Sequence, residues 1–149
     1  MKTVIMLRHA DVDTHPNGPA PADWPLNVVG LLRAQTLVHV AGNAGVGAIY
    51  HSGVVRTEQT VAPLAAKLHL KPKPTPETPQ FVQQVLADRQ ANVVLIAGHS
   101  NTVPEFIAAF GAPPIAEAQL EGHDDLFVVT VIGPGKASVA RLKYGSPSA

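Results

Sequence analysis

Cysteine is absent from all 149 residues, which excludes disulfides, thiolate nucleophiles and cysteine-held zinc. An excess of charge of either sign is missing too. Eleven Lys and Arg stand against eleven Asp and Glu, so no net field gathers nucleic acid or anionic lipid, and any anion must be met by a local cluster. No apolar run approaches a membrane span, and the few apolar residues ahead of Arg8 and His9 are too few for a signal-peptide core. The expectation is a cytoplasmic protein with neither a membrane nor a nucleic-acid partner. Internal repeats are also lacking. With 46% hydrophobic and only 15% charged residues, the chain has the composition of a folded protein and the length of one ordinary domain. The domain is expected over 1–144, with 145–149 as a frayed tail.

Thr3-Val4-Ile5-Met6-Leu7 is almost uniformly apolar, as in a strand buried on both faces of a sheet. Ala10 to Pro25 is rich in Asp, Pro, Asn and Gly and reads as a surface loop, with Trp24 as its anchor. Asn27 is placed to cap a helix whose apolar residues Val28, Leu31, Leu32, Leu37, Val38 and Ala41 form the core face, and Gly42 ends it. A second strand is expected at Gly47–Tyr50, followed by a helix capped by Ser52 and running to Leu68. The prolines at 72, 74, 76 and 79 mark a loop after a short edge strand. Thr78 with Pro79 opens a helix carrying Phe81, Val82, Val85 and Leu86 on one face. Asn92–Ala97 is a further strand, Thr102 and Glu105 have capping-box spacing for a helix to Phe110, and 126–144 reads as a β-hairpin about Gly133-Pro134-Gly135-Lys136. Alternating strands and helices predict an α/β fold: a three-layer α/β/α sandwich on a mostly parallel sheet with a C-terminal antiparallel hairpin.

Ligands of open α/β sheets collect at the carboxyl ends of strands, and three of these strands end in polar residues. They are Arg8 and His9, then Ser52 and Arg56, then His99, Ser100, Asn101 and Thr102. Helix N-termini near Ser52 and Thr102 direct N–H groups and a positive dipole end toward the same crevice. Two arginine forks and a histidine there form a phosphate pocket on electrostatic grounds alone.

Four stretches carry a resemblance: Leu7-Arg8-His9-Ala10; Pro25-Leu26-Asn27-Val28-Val29-Gly30 with Ala34; Ser52-Gly53-Val54-Val55-Arg56-Thr57-Glu58-Gln59-Thr60; and Gly98-His99-Ser100-Asn101-Thr102-Val103-Pro104. In this order, at strand-to-helix junctions, and with Asp125–Thr130 as a late strand, they resemble the histidine phosphatase superfamily, also called phosphoglycerate-mutase-like, in its small single-domain bacterial form. The resemblance runs nearly from end to end. It implies a phosphatase without metal or other cofactor, acting on a small phosphate ester or a phosphoprotein, with His9 as nucleophile. Arg8, Arg56 and His99 then complete the phosphate pocket, and Ser52, Ser100 and Asn101 contribute to it. A catalytically weak phosphate-binding or regulatory protein on the same fold is the alternative. Oligomeric state is not legible.

The chain departs from that family at several positions. Ala10 replaces the glycine usual after Arg-His, His51 replaces a small hydroxyl residue, and His123-Asp124 stands where Glu-Tyr is common ahead of the position of Asp125. The acid that protonates the leaving group has two candidates, Glu77 and Asp11. Each also has a structural reading, as a charge near a helix start or a loop carboxylate. His39 and His69 are expected in solvent without a task. His15, His51 and His123 match no standard metal-ligand spacing.

Overall fold

The computed structural model describes residues 1–76 and 78–148. Along the chain run β1 (Lys2–Arg8), α1 (Val28–Ala41), β2 (Ala48–His51), α2 (Val55–Leu68), β3 (Lys73–Pro74), α3 (Phe81–Ala87), β4 (Val93–Gly98), α4 (Thr102–Ala109), a 3-10 turn (Glu117–Gln119), β5 (Asp125–Gly133) and β6 (Lys136–Lys143). The sheet order is β3-β2-β4-β1-β5-β6. Its first four strands are parallel, and β5 and β6 add an antiparallel hairpin against β1. This is the mostly parallel α/β architecture with a C-terminal hairpin that the pattern predicts.

The apolar run of β1 explains its central place. Val4 and Met6 face a core shared with Phe81, Val85, Phe106 and Ile107, from α3 and α4. Ile5 and Leu7 face the opposite core, shared with Leu37, Val61 and Leu64, from α1 and α2. Alternation along one strand therefore feeds two layers of helix, and each such side chain fully buried contributes about 1.5–3 kcal/mol.

Asn27 caps α1 as expected, its Oδ1 accepting the Gly30 N–H at 2.9 Å. The buried face of α1 is a correction. Gly30, Arg33, Ala34, Leu37 and Ala41 point inward, while Val28, Leu31 and Leu32 are exposed. Close packing selects the small residues: a Cβ on Gly30 would lie 2.2 Å from the Asp11 carbonyl oxygen.

Two helix starts also differ from the expectation. Ser52 does not cap α2; Val54 precedes the helix without a side-chain cap, after Gly53 turns the chain at φ +90°. Thr102 is the first residue of α4 rather than its cap, and its hydroxyl accepts the His99 N–H at 3.0 Å. After β6 the chain turns back: Ser148 Oγ accepts the His123 N–H at 2.9 Å, and the Ser148 N–H reaches Asp124 Oδ2 at 3.2 Å. Among the described residues, no helix is long and apolar enough to cross a membrane.

Candidate active site

Register brings the site together. β1 and β4 are adjacent and parallel with Arg8 opposite Gly98, so His9 and His99 leave neighbouring strands side by side. The His9 N–H donates to the Gly98 carbonyl at 2.8 Å, and the two imidazoles stand 5.4 Å apart, edge to face. Arg56 arrives in the first turn of α2. Loop 10–25 folds over this end of the sheet, held where Ala10 N–H meets Thr60 Oγ1 at 2.8 Å and Val55 N–H meets Ala22 O at 2.9 Å. Trp24 does anchor the loop, its Nε1 donating to Asp13 O at 2.8 Å.

The result is a pocket of about 440 Å³ lined by Arg8, His9, Arg56, His99, Ser100 and Asn101, with Val12, Ala20 and Val54 as its apolar wall. Of the residues singled out by sequence, Ser52 is not in this lining. Its hydroxyl lies 2.7 Å from His99 Nε2 instead.

His9 is 5% exposed, and its Nδ1 lies 2.8 Å from the carbonyl of Ala10. A carbonyl only accepts, so Nδ1 carries the proton and Nε2 keeps its lone pair. Burial pushes the ring's pKa down to about 3, against the Ala10 hydrogen bond and helped by Arg8, His123 and His99. The ring is therefore neutral at ordinary pH. Replacing the usual glycine by Ala10 leaves this carbonyl contact in place.

Arg8 is fixed by the chain's second half. Its Nη1 donates to the carbonyls of Leu120, Glu121 and Gly122 at 3.2, 3.1 and 3.2 Å, while its Nε is buried with no hydrogen-bond partner among the described residues. Burial, then the neighbouring Arg56, lowers its pKa. The loop that holds Arg8 is itself tied down. Arg141 makes a two-pronged bond to buried Asp125, at 2.8 and 3.0 Å, and also donates to the Gln119 carbonyl at 2.6 Å.

Asp11, one of the two residues weighed as proton donor, is engaged by an arginine. Arg33, 2% exposed, grips it at 2.7 and 3.3 Å and also donates to the Tyr144 carbonyl at 2.7 Å. Burial works to raise the Asp11 pKa, but the Arg33 hydrogen bond and charge outweigh it and hold the carboxyl below its ordinary range. Arg33 thus favours the ionised form of Asp11. Glu77, the other candidate, lies outside the described residues.

His123 supports His9 from outside the pocket lining, although its sequence context marks only an altered rim. Its ring stands 5.2 Å from that of His9, and its Nδ1–H donates to the His9 carbonyl at 2.9 Å. Burial, then Arg8, lowers its pKa. The three histidines weighed as ligands do not converge. His15 packs edge-on against Trp24, and His51 is buried at the end of β2 with Nδ1 accepting the Gly53 N–H at 3.0 Å. Among the described residues no group of three or more His, Asp or Glu is placed to hold a metal ion.

A family model for the histidine phosphatase superfamily (branch 1) matches residues 4–78. No curated protein matches the chain in sequence. In fold, it is similar to the protein histidine phosphatase SixA complexed with tungstate: TM-score 0.75, 18% identity, with 95% of this chain and 96% of that one covered. The mycobacterial glucosyl-3-phosphoglycerate phosphatase Rv2419c is similar in two complexes. With inorganic phosphate the TM-score is 0.73 at 14% identity, over 98% of each chain. With VO3 it is also 0.73 at 14%, over 95% of this chain and 97% of that one. The sequence match covers His9 and Arg56 and stops before His99, whereas the likeness of fold extends over the remainder. With its first half matched by the family model and nearly its whole length superposing on these structures, the chain belongs to the histidine phosphatase superfamily.

Proposed function

We propose that this protein is a phosphatase that uses His9 as its nucleophile, needs no metal ion, and acts on a small phosphate ester or a phosphoprotein. The observation that carries the reading is the state of His9: neutral, with Nδ1 committed to the Ala10 carbonyl and Nε2 free to attack, in a pocket with two guanidinium groups. Nε2 attacks phosphorus and the bond from phosphorus to the leaving group breaks, P–O in an ester or P–N in a phosphohistidine; the departing atom takes the electron pair and a proton supplied by a carboxylic acid, for which Glu77 is the candidate, or by water. Water then attacks the phosphohistidine, the N–P bond breaks, and inorganic phosphate leaves. Arg8 and Arg56 neutralise the non-bridging oxygens through both steps, which is the charge that a metal would otherwise supply. Proteins of similar fold named as phosphatases of protein histidine and of glucosyl-3-phosphoglycerate support both substrate classes.

The test is covalent. Rapid quench during turnover should find an acid-labile, base-stable phosphoryl group on His9, and His9→Ala should abolish turnover. A label on another residue, or an active His9→Ala, would sink the mechanism. Arg8→Ala, Arg56→Ala and His99→Ala should each lower kcat/KM by about a hundredfold or more with the circular dichroism spectrum unchanged. Unchanged kinetics in two of them would remove the pocket assignment.

The commitment of Asp11 to Arg33 favours a second reading, a phosphate-binding protein with feeble turnover. A panel of phosphate substrates with and without chelator separates the two. Binding of vanadate with no turnover of any substrate would select the second.

A further inference from the structure

We infer that Thr57 and Ser52 position His99 by fixing which of its ring nitrogens holds a permanent proton. The inference rests on the reading of His99 as a phosphate-pocket residue.

Thr57 follows Arg56 on the first turn of α2, is 0% exposed and takes no part in lining the pocket. Its Oγ1 donates to the Val54 carbonyl at 3.0 Å. A hydroxyl has one proton, so toward Ser52 this oxygen acts as acceptor. It receives the Ser52 N–H at 3.3 Å and faces the Ser52 Oγ at 2.9 Å. Ser52 thus gives its own proton to Thr57, and its 2.7 Å contact with His99 Nε2 is made by an N–H of the histidine. Donation runs from His99 Nε2–H to Ser52, from Ser52 to Thr57, and from Thr57 to a backbone carbonyl.

Running the relay backward would pull Thr57 off the Val54 carbonyl and would serve only a neutral ring with a bare Nε2. The forward direction serves the neutral ring and the imidazolium alike, because both donate from Nε2. His99 therefore donates from Nε2 to Ser52 in either form of the ring. The His99 ring stands at 62° to that of His9. A histidine meant to neutralise phosphate benefits from one ring nitrogen held as a donor in a fixed direction.

Thr57→Val keeps the shape of the side chain and removes the hydroxyl, whereas Thr57→Ser keeps the hydroxyl. Ring-nitrogen NMR of histidine-labelled protein without substrate should show the Nε2–H tautomer of His99 in the wild type and in Thr57→Ser, and a mixture in Thr57→Val. On an aryl phosphate, kcat should fall about fivefold in Thr57→Val, the equivalent of one neutral hydrogen bond, and recover in Thr57→Ser. If Thr57→Val fails to fold by circular dichroism, Ser52→Ala takes its place with the same expected mixture. A wild-type tautomer in a folded variant lacking either hydroxyl overturns the inference, whatever the activity. Because the tautomer is read without turnover, a mixed tautomer in a chain that hydrolyses nothing would sustain the relay and remove the phosphatase reading instead.

Discussion

Asp11 and Arg33 set the stakes for single substitutions. Arg33 is buried, so Asp11→Asn leaves a guanidinium without its counter-charge, and urea unfolding should show a loss of about 3 kcal/mol. The pH dependence follows in sign. The folded pKa values of Asp11 and Asp125 are lowered, so their stabilisation is present above the unfolded value of 3.8 and is lost as pH falls through the folded values. His9 acts at higher pH. Its unfolded value is 6.5 and its folded value about 3, so the unfolded chain takes up the proton first and stability declines across that window. Unfolding curves measured from pH 7 to 3 should show both phases, and His9→Ala should flatten the upper one. Leaving-group chemistry provides the third measurement at this scale. Glu77→Gln should slow alkyl phosphates far more than nitrophenyl phosphate, whereas Asp11→Asn should shift both alike. Equal leaving-group dependence in wild type and Glu77→Gln would exclude Glu77 as the acid.

At the scale of elements, α1 shows how far hydropathy can be read. The cap at Asn27 and the stop near Gly42 are local chemistry and are visible in the sequence. The face that packs is not, because the distance between neighbours decides it. Loop residue Asp11 approaches so closely that Gly30 and Ala34 are buried and the larger Leu31 and Leu32 stay outside. Gly30→Ala should therefore destabilise by about 2 kcal/mol, while Leu32→Glu should change thermal stability by less than about 0.5 kcal/mol. The opposite ranking would restore the hydropathic face. The same limit applies in the pocket. Arg8, His9, Arg56 and His99 are legible because each sits at the end of a strand or the start of a helix, where chain position alone predicts direction. Arg33, His123 and Thr57 gain their meaning from partners remote in sequence or from a proton count, and no local pattern carries either.

At the scale of the molecule, β1 lies between β4 and β5, with Thr3 paired to Val93 on one side and to Thr130 on the other. A ribosome makes this strand well before its two neighbours. Until then the Val4–Leu7 segment has no sheet to join, and Arg8 has no carbonyls at 120–122 to grip. Pairings so far apart along the chain form slowly, because the loop between them must close before any contact rewards it. Arg8 and His9 are thus translated before the strands and loop that complete their surroundings. A stalled or clipped product that ends before Leu120 carries His9 and both arginines but none of the carbonyls that anchor Arg8, and it should be inert toward phosphorylated substrates rather than a partial enzyme.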